Sequence, residues 1–218
     1  MASRPPDSRD AARRPMDDPN SKVIGIVGAG ADTAHMLDEM LSQSLMAAVI
    51  FLVPKRAGQN GAARGTEHLA AAIRTVQSHG AAALLADDAG LAQDLKADGV
   101  HISHGPDVMK FYLAARSLLG REANIGVEAG ASRHDAMELG EAGADYIAFG
   151  LRADAADADE ATTERHELIT WWADVFEVPC VALDVTDADE AGLLVEAGAD
   201  FVAYRLDAPV VEQPASHV

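Results

Sequence analysis

Cysteine occurs once in 218 residues, at Cys180, so no internal disulfide can form. Its setting in the apolar run Val178 to Leu183 marks it as a buried packing thiol rather than a nucleophile. Basic residues are scarce: 17 Lys+Arg stand against 35 Asp+Glu, a formal charge of −18. Such a chain repels polyphosphate backbones and anionic lipid, which argues against nucleic-acid and membrane-surface roles. No apolar run approaches the roughly 18 residues needed to span a bilayer, and the N-terminal segment has no apolar signal-peptide region. Cytoplasmic localisation is the expectation. The first 20 positions are rich in Arg, Asp and Pro with almost no large apolar residue, too few to offset the entropy of ordering. Residues 1–21 are therefore expected to be a disordered tail, 22–206 a single domain and 207–218 a second tail.

What the chain does have is a repeated phrase. Ala97-Asp98-Gly99-Val100-His101-Ile102 is followed by Ala144-Asp145-Tyr146-Ile147-Ala148-Phe149 and by Ala199-Asp200-Phe201-Val202-Ala203-Tyr204. Each copy ends an apolar-periodic helical stretch and launches a short hydrophobic run that reads as a buried parallel strand. The aspartates lie roughly two βα units of about 25 residues apart, so one further strand belongs inside each interval. That spacing predicts a (β/α)8 TIM barrel.

Eight strands can be counted: 23–27, 48–53, 82–86, 99–102, 124–127, 145–149, 180–183 and 200–204. Helical periodicity fills seven intervals between them, at about 32–43, 64–78, 89–96, 107–119, 132–142, 160–176 and 187–197. The eighth helix is expected to be short or missing, because Pro209 and Pro214 interrupt the remaining segment. A thinly covered flank there favours self-association as a homo-oligomer. The competing signal is Gly25-Ile26-Val27-Gly28-Ala29-Gly30 near the start, which superficially matches a dinucleotide fingerprint. Thr33 replaces its third glycine and no acidic residue follows at the required distance, so Gly28 and Gly30 read as a tight turn. Trp171 and Trp172 point about 100° apart on a helix, so they are expected to serve packing, one against the barrel and one elsewhere.

In such a barrel the chemistry lies at the carboxyl ends of the strands. Those positions hold Lys55 and Arg56, Asp87 and Asp88, His101, Ser103 and His104, Glu128, Arg152, Asp184 and Arg205. Asp87 is readable either as a metal ligand or as the cap of the following helix, a role Asp88 could share. A carboxylate there can hold a divalent cation, while Lys55 or Arg152 can meet a phosphate.

Several ordered segments resemble the thiamine phosphate synthase and thiazole tautomerase family. They are Leu84-Leu85-Ala86-Asp87-Asp88, Asp98 to Ile102, Glu141 to Gly150, and Val178-Pro179-Cys180-Val181-Ala182-Leu183, and the similarity runs from about residue 48 to 204. The resemblance implies a barrel that joins hydroxymethylpyrimidine diphosphate to a thiazole phosphate, releases pyrophosphate and uses Mg2+. It implies Asp87 as the retained magnesium aspartate, Asp107 as a one-place-shifted second ligand, and Lys55 and Arg152 on phosphates. Its small phosphorylated metabolites would be the partners. The pattern also departs: Ala86 stands where the family has Asn, Leu151 to Thr163 lacks its Thr-x-Thr-Lys loop, and Asp184-Val185 replaces a Gly-Gly pair. Asp184 places a negative charge where glycine amides would approach phosphate, so phosphate binding is expected to suffer. Three readings follow: a divergent synthase, a tautomerase-like enzyme in which His101 or His104 moves a proton, and a catalytically silent barrel used for regulation or assembly.

Overall fold

The structure, a computed structural model, describes residues 22–53, 62–152 and 157–206. Both expected tails, and Lys55 and Arg56, lie outside the described residues. The elements in chain order are β1 (Val23–Gly28), α1 (Thr33–Gln43), β2 (Ala48–Leu52), α2 (Ala62–Ser78), β3 (Ala82–Ala86), α3 (Ala89–Leu95), β4 (Gly99–Ile102) and α4 (Val108–Leu119). They continue as β5 (Asn124–Glu128), α5 (Arg133–Glu141), β6 (Tyr146–Phe149), α6 (Ala158–Val175), β7 (Cys180–Val185), α7 (Ala188–Glu196) and β8 (Phe201–Arg205). The eight strands are parallel, pair in sequence order and close β8 onto β1. A (β/α)8 barrel is thus observed, and β8 is its last described element.

Alternation along each strand divides the core in two. One set, including Ile50, Leu84, Ala148 and Leu183, fills the lumen. The other, including Phe51, Leu85, Ile147 and Phe149, meets the helices. Helix α6 shows how the outer layer is specified: Ala161, Arg165, Leu168, Ile169 and Trp172 form its buried stripe, at the spacing a 3.6-residue period requires. Trp172 is fully buried, packs edge-on to Phe149, stacks on Phe176 and donates its indole N–H to the Val178 carbonyl at 2.8 Å. Trp171 is only partly buried and lies under the Arg133 guanidinium of α5, 4.9 Å from the ring centroid. Both therefore pack, as their spacing predicts. Cys180 is buried, and burial pushes its thiol above the usual range.

The repeated aspartates turn out to be clasps at the feet of strands. Asp98 Oδ2 accepts from Ala83 N at 2.8 Å while its own N–H donates to the Ala83 carbonyl at 2.8 Å. Asp145 does the same to Ile125, at 2.8 and 2.9 Å, and Asp200 to Cys180, at 2.9 and 2.9 Å. Each clasp ties an even strand to the odd strand before it: β4 to β3, β6 to β5, β8 to β7. The corresponding position before β2 is Ala47, whose N–H donates to the Val23 carbonyl but which has no side-chain acceptor for the Val23 end of the pair. At the other end of β1, Thr33 closes the glycine turn, accepting from Gly30 N at 2.9 Å and donating to the Gly28 carbonyl at 3.1 Å. The glycines there serve a turn in a closed barrel, not an open nucleotide-binding sheet. Among the described residues no helix is long and apolar enough to cross a membrane.

Candidate active site

Three carboxylates gather at the carboxyl ends of the strands, each held by a backbone N–H of a neighbouring loop. Asp87, just after β3, accepts from Ser103 N through Oδ1 at 2.8 Å. Glu128, the last residue of β5, accepts from His104 N through Oε2 at 3.2 Å. Asp184, in β7, accepts from Leu151 N through Oδ2 at 2.9 Å. Asp87 and Asp184 both adopt left-handed backbone, φ 58° and 57°, a conformation that Asp tolerates better than most residues with a side chain. A Cβ on Gly150 would stand 2.9 Å from Asp184 Oδ2 and 3.1 Å from Glu128 Oε1, so these two carboxylates share one small space that only glycine leaves open. Burial raises the Glu128 carboxyl above its ordinary range, the His104 amide opposes this, and the negative charges of Asp184 and Asp87 add to the rise.

Beneath the rim lies a buried polar pair. His101 on β4 points into the lumen, 6% exposed, with Nδ1 2.9 Å from the Tyr146 hydroxyl and the two rings stacked at 5.9 Å. A side chain at Gly126 would collide with the Tyr146 ring, so that glycine is what lets tyrosine cross the lumen. Burial lowers the imidazole to about 4, against a smaller upward pull from Asp87, and burial raises the Tyr146 phenol. His101 is therefore neutral near pH 7. One hydrogen bond joins Tyr146 Oη and His101 Nδ1, with the hydroxyl donating when the imidazole proton is on Nε2 and accepting when it is on Nδ1.

His104 is exposed, and its ring lies where a Cβ on Gly130 (φ 61°) would meet it at 2.7 Å. Asp88, not Asp87, caps α3, accepting from Leu91 N at 2.8 Å. Asp107 stands exposed at the N-cap of α4 and makes no side-chain cap bond. Arg152 is turned toward α6, with Nη1 3.4 Å from Glu164 and Nη2 4.0 Å from Glu160. Of the expected site residues, Asp87 and His104 line one cavity at the rim, His101 lies beneath them in the lumen, Arg152 and Asp107 belong to the edges, and Lys55 lies outside the described residues. A cavity of about 480 Å3 opens between α3 and α4, with Asp87, Ser103 and His104 at one end and Ile102, Phe111 and Leu118 along its walls. Among the described residues no three His, Cys, Asp or Glu converge as a ready-made metal cage.

Two contributors escaped the sequence. Tyr146 reads there as one more apolar strand residue, and only Gly126 opposite it carries a signal. Arg165 sits mid-helix in α6 yet is fully buried, donating to the Leu183 carbonyl at 2.6 Å and to Glu190 Oε1. Glu190 in turn accepts from the Thr186 N–H and hydroxyl at 2.8 and 2.9 Å.

A family model described as thiamine monophosphate synthase matches residues 23–206. A thiamine-phosphate synthase of Erythrobacter litoralis is 48% identical over 147 residues, 66% of each chain. One from Rhodospirillum centenum is 43% identical over 128 residues, 59% of this chain and 60% of its own. The chain thus aligns with no more than about two thirds of the length of these curated relatives. Among solved structures, a thiamine phosphate pyrophosphorylase from Pyrococcus furiosus superposes with a TM-score of 0.64 at 18% identity, covering 86% of this chain and 87% of that one. A tryptophan synthase alpha-subunit from the same organism reaches 0.58 at 12%, covering 84% and 86%. At such identities these two likenesses speak for the barrel alone, whereas the family match spans the whole described domain. This chain belongs to the thiamine monophosphate synthase family.

Proposed function

We propose that this barrel carries out a thiamine phosphate synthase-type transfer, in which a thiazole phosphate nitrogen bonds to the methylene carbon of hydroxymethylpyrimidine diphosphate as pyrophosphate departs. The observation that carries the reading is Asp87. It stands at the end of β3 with Oδ1 fixed by Ser103 N, and it lines the cavity beside β4. Hard oxygen donors suit Mg2+, which takes one or two carboxylates and completes its shell with waters and substrate phosphates. The absence of a three-residue cage among the described residues is compatible with that mode. Asp87 would hold the ion, with Asp107 the nearer-edge candidate, and the bound ion would neutralise the departing pyrophosphate.

The rest of the chemistry falls to the chain's own groups. Positive charge develops on the methylene carbon and persists on the thiazolium product, and Glu128 and Asp184 put negative charge beside the mouth to stabilise it. The cavity between α3 and α4 has the size and apolar wall of a small-molecule pocket. His101, neutral and paired with Tyr146, lies inside the lumen behind that cavity, and His104 lines it at the rim beside Asp87; a histidine there moves a proton only in the tautomerase-like chemistry. Arg152 and Lys55 are the cations assigned to phosphate. In this reading the partner is a small phosphorylated metabolite and the compartment is the cytoplasm.

Pyrophosphate release from the two purified substrates, with and without Mg2+, tests the proposal. Asp87→Asn should lower turnover at least about a hundredfold, a loss of about 2.7 kcal/mol in transition-state stabilisation. Asp88→Asn, which keeps a capping side chain, should leave turnover near wild type. Absence of release by the wild-type protein, or equal rates for Asp87→Asn and wild type, would sink the reading.

A further inference from the structure

Barrel rims bind phosphate by offering backbone N–H groups at the loops after the last strands, where no side chain intervenes. In the neighbouring loop, just after β6, an amide that faces the same rim is already taken: Leu151 N donates to Asp184 Oδ2 at 2.9 Å. We propose that Asp184 sets the charge preference of the mouth by acting as a resident anion on the Leu151 amide, so that the space beside Gly150, though not the Arg152 head group turned toward α6, is closed to phosphoryl oxygens and receives the neutral or cationic end of a ligand.

Three features support this. First, residue 184 has φ 57°, where glycine would sit without strain, so aspartate is held at a conformational cost. Second, its carboxylate lies beside another of the same sign, since Asp184 Oδ2 and Glu128 Oε1 both stand close to the Cβ position of Gly150. Third, the backbone beneath it is clamped from both ends. Arg165 holds the Leu183 carbonyl at 2.6 Å, and Glu190, itself bound to Arg165, holds Thr186 N at 2.8 Å. The segment 183–186 is thus fixed, and an arriving phosphate meets the carboxylate in place. An oxygen seeking the Leu151 amide must displace an anion already there and approach Glu128 as well.

The inference does not depend on the condensation proposed above, because it is read by equilibrium binding without turnover. The probe is pyrophosphate without metal, measured by calorimetry and by the Leu151 amide resonance in the full-length protein. Asp184→Gly suits the left-handed backbone, so its melting temperature should equal or exceed that of wild type. It should bind pyrophosphate about tenfold or more tightly, the scale of one charge-assisted hydrogen bond, and its Leu151 amide should shift saturably with the ligand. Asp184→Asn keeps an acceptor on Leu151 and removes only the charge, so its gain should be smaller. Equal affinity of Asp184→Gly and wild type overturns the proposal, and so does an Asp184→Asn variant that matches Asp184→Gly.

Discussion

At the residue scale, His101 shows how one buried group couples the site to stability. Its imidazole titrates at about 4 in the folded chain against 6.5 when free. Between those values the unfolded chain binds a proton that the folded chain refuses, so stability is complete above pH 6.5 and falls as pH drops toward 4. At about 1.4 kcal/mol per unit the loss is on the order of 3 kcal/mol. Urea midpoints from pH 4 to 7 should therefore rise more steeply for wild type than for His101→Gln, and parallel curves would show that the imidazole does not carry this dependence. Removing the partner is a separate matter. Tyr146→Phe deprives Nδ1 of the hydroxyl it bonds at 2.9 Å and should cost about 1–3 kcal/mol, readable as a lower urea midpoint at pH 7. Sequence reading reaches His101 as a strand-end residue aimed inward, but not its companion. A tyrosine inside a hydrophobic strand gives the same pattern whether its hydroxyl meets water or a histidine 45 positions away. The same limit explains Asp87 and Asp88, adjacent in sequence, whose roles part only when the left-handed φ of the first and the Leu91 amide contact of the second are seen.

At the scale of elements, α6 carries more than a helix usually does. Its buried stripe carries Arg165 among Ala161, Leu168, Ile169 and Trp172. Folded, Arg165 spans from α6 to the end of β7 and the first turn of α7, through the Leu183 carbonyl and Glu190. Desolvating a guanidinium is expensive, and removing one member of such a pair is costlier than never having built it. Because Glu190 keeps some exposure and both Thr186 bonds, Arg165→Met should cost about 2–3 kcal/mol, toward the low end for buried pairs. A thermal or urea melt measures this, and a change under 0.5 kcal/mol would mean that the guanidinium contributes no net stability. Strand and helix boundaries were legible because apolar periodicity and turn residues act locally. The clamp was not, because it joins three elements through a few polar atoms far apart in sequence and leaves no periodic trace.

At the scale of the whole molecule, the repeated aspartates announce the architecture without belonging to the site. Their spacing predicted the barrel correctly because each does the same mechanical task in its own βα pair. They lie at the end of the strands opposite the mouth, where conservation of geometry serves folding. Replacing one by Ala strips the acceptor from a strand-foot amide, so Asp200→Ala should cost about 1–3 kcal/mol in a denaturant melt. Three of the four odd-to-even strand pairs carry the clasp, and the β1–β2 pair, with Ala47 at that place, does not. A closed ring has no end by shape, yet β1 and β2 are the two strands here that no clasp holds. Native-state hydrogen exchange should therefore find the amides of Val23–Gly28 and Ala48–Leu52 opening at lower free energy than those of β3 to β8. Thermal breathing would then part the ring at its first quarter, leaving Asp87, Glu128 and Asp184 on the portion that stays closed.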